Sequence, residues 1–79
     1  MKNKNKFYKT KDFLIISVLD CLGTKLNSTE WDSGSLYFFF EDHESCEEII
    51  NKYYRGELKV NPKDLFNASK NIKSIIYNN

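Results

Sequence analysis

Residues 36–42, Leu-Tyr-Phe-Phe-Phe-Glu-Asp, are the densest apolar and aromatic run in the chain. The run is too short for a buried helix and rich in strand-favouring aromatics, so it predicts a buried or half-buried β-strand. Such a strand must cover at least one face. The chain supplies three pieces able to do so, an apolar stretch before it and two amphipathic stretches after it. A length of 79 residues leaves room for one small domain. Hydrophobic residues at 41% and charged residues at 29% suit a packed core beneath an ordinary charged surface.

Residues 1–6, where Lys and Asn alternate, are expected to be a disordered basic tail, and residues 7–79 a single domain. Thr10 and Asp12 read as a helix start, a capping hydroxyl followed by an acid in the positive first turn. The helix then runs from Lys11 to Leu22. Only Ser17, Asp20 and Thr24 interrupt its apolar surface, so it is expected to be nearly enclosed, with Gly23 ending it. A strand is expected over Lys25 to Trp31, followed by turn chemistry at Asp32-Ser33-Gly34-Ser35 and then the aromatic strand, which makes a hairpin.

Asp42 can cap a second helix in which Cys46, Ile49, Ile50, Tyr53 and Tyr54 recur at helical spacing, with Arg55-Gly56 as its stop. Leu58 and Val60 form a short extended link. Asn61-Pro62 opens the last helix with a capping amide and a proline at its first position. Its apolar stripe is Leu65, Ala68, Ile72, Ile75 and Ile76, and Lys63, Asn67, Lys70 and Lys73 lie on the other side. The expected fold is α+β, a two-stranded antiparallel hairpin packed against three helices in the order α-β-β-α-α. A short strand near Phe7 or Leu58 would make the sheet three-stranded. The expected core is Leu14, Val18, Leu22, Phe38, Phe40, Ile49, Ile50, Leu65, Ile72 and Ile76.

The formal charge of +1 conceals a basic, acidic, basic sequence: residues 1–25 sum to +4, residues 26–51 to −7 and residues 52–79 to +4. A near-neutral total holds no polyanion by bulk field, so nucleic-acid binding requires one face that concentrates Lys. No segment has the form of a signal peptide or the length to span a bilayer, which predicts a cytoplasmic protein without a membrane partner. Cys21 and Cys46 are expected to be reduced core residues. His43, the one histidine, stands near Cys46. Two Cys and one His fall a ligand short of a zinc site, and a Cys–His nucleophile would need a third, orienting group and an activated thiolate, whereas Cys46 lies on the apolar stripe of its helix and His43 in the exposed first turn. Glu41, Asp42, Glu44, Glu47 and Glu48 read as acids at a helix start. The three glycines are isolated, so there is no phosphate loop. No catalytic residue, metal or cofactor is expected.

Phe7-Tyr8-Lys9-Thr10-Lys11-Asp12, Phe38-Phe39-Phe40-Glu41-Asp42, Tyr54-Arg55-Gly56-Glu57, Val60-Asn61-Pro62-Lys63, Phe66-Asn67-Ala68 and Ile72-Lys73 to Ile76-Tyr77 follow in order along the chain. Together they resemble a family of small uncharacterised bacterial and phage proteins classed as a domain of unknown function. The resemblance covers nearly the whole chain and departs at Ser28 to Glu30, where a more apolar strand would stand. It implies a stand-alone domain from a phage or mobile-element gene. It carries over no catalytic or binding residue.

Two functions remain from the residues themselves. The first is a small non-enzymatic interaction module that binds a protein partner or itself. Its candidate interface is Trp31, Tyr37, Phe39, Tyr53 and Tyr54, beside the acidic middle segment. Tyr37 and Phe39 alternate with Leu36, Phe38 and Phe40, and burial of both faces is the simpler expectation for the strand; an uncovered aromatic face would instead stack bases or meet a partner. The second function is nucleic-acid binding through the last helix, with Lys63, Asn67, Lys70 and Lys73 as contacts and the basic amino-terminal tail on phosphate.

Overall fold

In the computed structural model, which describes residues 6–78, the aromatic run is the middle strand of a three-stranded antiparallel sheet. The elements are β1 (Tyr8–Thr10), α1 (Phe13–Cys21), β2 (Leu26–Asp32), β3 (Ser35–Phe40), α2 (His43–Tyr54) and α3 (Pro62–Tyr77), with the sheet in the order β1-β3-β2. The expected α+β architecture is present. Its third strand lies beside Phe7, and the link at Leu58 to Val60 joins no sheet. Residues 1–5 of the expected basic tail lie outside the described residues. The backbone carbonyl of Lys6 accepts a hydrogen bond from the His43 amide at 2.9 Å.

The third strand moves the first helix. Thr10 pairs with Phe38 in the ladder, and its hydroxyl accepts from the Asp12 amide at 3.1 Å, so it ends a strand where a helix start was expected. The cap is Asp12, whose carboxylate accepts from the amides of Leu14 and Ile15 at 3.0 and 3.1 Å, two of the donors that the first turn leaves unpaired. At the far end Gly23 adopts φ +84°, and the Thr24 amide reaches back to the Leu19 carbonyl at 3.0 Å. Gly56 at φ +72° closes α2 in the same way, through Glu57 to Lys52 at 2.9 Å. The β2–β3 hairpin turns on Ser33 and Gly34, both with positive φ, as a two-residue hairpin loop prefers.

Strand alternation decides the core. Leu36, Phe38 and Phe40 point to the helices and are buried, while Ser35, Tyr37 and Phe39 point the other way and are half-buried. Against the first set pack Ile15, Ile16 and Leu19 of α1, Cys46 and Ile50 of α2, and Ile72 of α3. Two expected core residues are not inside: Leu14 and Leu22 are 43% and 41% exposed, because only the middle of α1 lies on the sheet and α3 while its ends project. Leu65, Ile49 and Ile76 are half-buried at the margin. Ser17, expected on a polar strip, is fully buried and donates its hydroxyl to the Phe13 carbonyl at 2.9 Å, which satisfies the one buried polar side chain among the described residues. In β2 the pairing slips between Leu26 and Ser28, leaving Asn27 as a bulge.

Candidate binding surfaces

All three helices pack on the Leu36–Phe38–Phe40 side, so among the described residues no layer covers the opposite side of the sheet. The simpler expectation that both faces of the aromatic strand are buried is therefore corrected. With α2 and α3 used to enclose α1 and the one sheet face on which it lies, no helix among the described residues is left for the other. The ladder places Lys9 opposite Phe39 and Glu30 opposite Tyr37, and directly opposed residues share a face. The outer face therefore carries Tyr37 and Phe39 along its middle, Lys9 on the β1 side, and Ser28 and Glu30 on the β2 side. The Lys9 ammonium lies 4.6 Å from the centre of the Tyr37 ring and 5.8 Å from that of Phe39. Lys11 lies 5.8 Å from Tyr37. Phe7, Ser28, Thr29, Glu30 and Phe39 line a shallow recess of about 320 Å³ on the same side, and the Lys6 ammonium stands 5.1 Å from the Phe7 ring.

Phe7, Lys9 and Lys11 belong to this surface but not to the candidates read from the sequence. The signal for them was present: they alternate with Tyr8 and Thr10 at the period of a strand. Reading Thr10 as a helix cap hid it.

The structure divides the expected protein interface among three surfaces. Tyr37 and Phe39 share the outer sheet face. Trp31 pairs with Leu36, which puts it on the helix side at the hairpin end, where it is 53% exposed. Tyr53 and Tyr54 end α2, with ring centres 5.2 Å apart; Tyr53 packs against the core margin and Tyr54 is exposed. The four residues expected to touch nucleic acid are all exposed on α3. Lys63, Asn67 and Lys70 follow one another along a single side of the helix at spacings of four and three. Lys70 rests 5.5 Å from the Phe66 ring, and Lys73 5.9 Å from Phe13 across the groove between α3 and α1. Phe13, Lys73, Ile76 and Tyr77 line an apolar notch of about 240 Å³ there.

His43 and Cys46 are near in sequence but turn to different surroundings. The His43 ring lies 5.7 Å from that of Tyr8, with Nε2 3.7 Å from a Glu47 oxygen. Cys46 is fully buried, and its thiol donates to the Glu41 carbonyl at 3.6 Å. Burial, then the charge of Asp42, pushes that thiol up to about 11, so it is held as the unreactive protonated form. Cys21, expected in the core, is only half-buried at the end of α1; its thiol is also raised, by burial first and then by Asp64 and Asp20. Asp42 caps α2, its carboxylate accepting from both the amide and the hydroxyl of Ser45 at 3.2 and 2.9 Å. Among the described residues no three of His, Cys, Asp and Glu come together as a metal site.

A family model matches residues 5–78, nearly the whole chain. The chain belongs to the family described as a domain of unknown function, DUF5659. The match runs from before β1 through the end of α3, so the sheet with its uncovered face and all three helices are one family unit. Neither curated proteins nor solved structures gave a match.

Proposed function

We propose that the protein is a small binding module without a reaction of its own, and that the outer face of its sheet is the surface it offers to a macromolecular partner. One observation carries this reading: Tyr37 and Phe39 lie half-buried on a sheet face that no helix covers, with the Lys9 ammonium 4.6 and 5.8 Å from their rings. Aromatic side chains held rigidly by a strand give contact area at little entropic cost, and the neighbouring cations add attraction and orientation. The cytoplasm is the proposed location, supported by two free cysteines and by the lack, among the described residues, of a helix long and apolar enough to cross a membrane.

The alternative surface is α3, favoured by the common exposed side of Lys63, Asn67 and Lys70. Lys70 there rests on Phe66, and Lys73, to one side, on Phe13, each on a single ring, whereas the sheet face sets two rings side by side beneath one ammonium. Surface mapping separates the two. A cell lysate split into protein and nucleic-acid fractions is titrated into the isotopically labelled chain, and the amides of β1 and β3 are expected to shift first. A response confined to α3, or none to either fraction, refutes the assignment.

A further inference from the structure

We infer that the partner of the outer sheet face is single-stranded nucleic acid, bound with bases on Tyr37 and Phe39 and with phosphates toward Lys9, Lys11 and Lys6. This rests on the reading of that face as the binding surface. Six lysine–aromatic contacts occur among the described residues, four of them on this one face or the segment leading into it. Folded chains average about one significant contact of this kind per 70–80 residues. A surface that alternates flat rings with ammonium groups complements a strand that alternates planar bases with phosphates.

The geometry selects a single strand over a duplex. Tyr37 and Phe39 are two residues apart on β3, about 6.6 Å along the strand. That is roughly twice the 3.4 Å rise between bases in a duplex, so neighbouring bases reach both rings only when they are unstacked from each other. Duplex bases are occupied on both faces and cannot lie on a ring. The acids fix the lateral direction. Glu30 and Asp32, opposite Tyr37 and Ser35 on the β2 side, repel phosphate, while β1 supplies the cations. The sugar-phosphate chain therefore follows β1, with the bases turned inward over β3.

Binding displaces the Lys9 ammonium from its two rings. An exposed contact of that type changes an equilibrium by only about two- to fivefold, whereas stacking one base on an aromatic side chain changes it by roughly 5- to 150-fold. Displacement is therefore favourable. The freed ammonium is also delivered to the phosphate side.

The test is fluorescence anisotropy of the whole chain with a labelled twelve-nucleotide oligo(dT), the matching RNA and a duplex of the same length, each from about 50 to 300 mM salt. Single strands are expected to bind better than the duplex. Three lysine contacts give a log–log salt slope of roughly −2, and Lys9→Gln or Lys11→Gln each reduces it by about 0.7. Phe39→Ser is expected to lower affinity by roughly 5- to 150-fold with the slope unchanged. Should that variant fold poorly, the two lysine variants still decide the matter. Absence of binding at about 50 mM salt, equal affinity for the duplex, or a slope that responds to Lys63→Gln and Lys70→Gln but not to Lys9→Gln overturns the inference. If no oligonucleotide binds but the protein fraction shifts β1 and β3 amides in the mapping experiment, the nucleic-acid partner is wrong and the binding face stands. If neither occurs, both fail.

Discussion

Phe38 and Phe39 are the same residue type, adjacent on one strand, and they point to opposite sides of the sheet, so replacing each by Ala measures the two faces separately. Phe38 is fully buried, with α1 and α2 residues of the core around it. Its truncation is expected to cost about 3–5 kcal/mol, the transfer free energy of a phenyl group plus the cavity left behind. A domain of this size has only about 3–5 kcal/mol from its core, so Phe38→Ala should be largely unfolded at 25 °C. Phe39 is half-buried beside Lys9, with no helix among the described residues over it; its loss is expected to cost about 1 kcal/mol, the transfer term alone for part of a ring. That corresponds to a fall of roughly 4–8 °C in Tm for a domain this small. Far-UV circular dichroism with thermal and urea denaturation of the wild type and the two variants gives both numbers. Equal losses, or a Phe38→Ala protein that melts cooperatively at the wild-type temperature, would show that the sheet does not have one packed and one open face.

Two further outcomes follow from single positions. Asp42 combines a side-chain cap with a left-handed backbone, φ 63°, so Asp42→Ala should lose about 1 kcal/mol for the cap and about 1 more for the strained alanine, while Asp42→Gly loses chiefly the cap; urea denaturation finding Gly no better than Ala would refute the dual role. Above about pH 9 the unfolded chain releases its thiol protons while native Cys46 keeps its own until about pH 11, so the native state binds more protons and stability falls as pH rises through that window. The wild type should lose on the order of 2 kcal/mol more than Cys46→Ala across that window, which denaturation at stepped pH would detect.

Elements whose signals are local were readable from the chain. Asp42, Asn61-Pro62, Gly23 and Gly56 act within one turn of themselves, and the Ser33-Gly34 loop has a backbone requirement that few residues meet. The first helix start is not legible locally because Thr10 and Asp12 carry overlapping signals; pairing with Phe38, distant in sequence, determines that Thr10 is a strand residue and leaves Asp12 as the cap. Leu14 and Leu22 lie outside the core for a related reason. Their periodicity is right for a buried helix, but the sheet and α3 cover only its middle turns. The surface residues show the same limit: Lys63, Asn67 and Lys70 share a helix side that spacing alone reveals, whereas Lys9 meets Tyr37 and Phe39 only through the β1–β3 ladder.

The bulge at Asn27 bears on what the sheet does at its free side. β1 lies near α2, but β2 is an outer strand with no neighbouring strand beyond it among the described residues, and the N–H and C=O groups of such an edge are a template for pairing with another chain. Behind that edge runs a strand of three consecutive phenylalanines, a composition that favours fibrous assembly once a neighbouring strand docks. The irregular ladder at Asn27 spoils a flat approach, and Glu30 and Asp32 set like charges against the same edge of a second copy. The acids of β2, which give the outer face its lateral polarity, thereby also guard the sheet against edge-to-edge polymerisation.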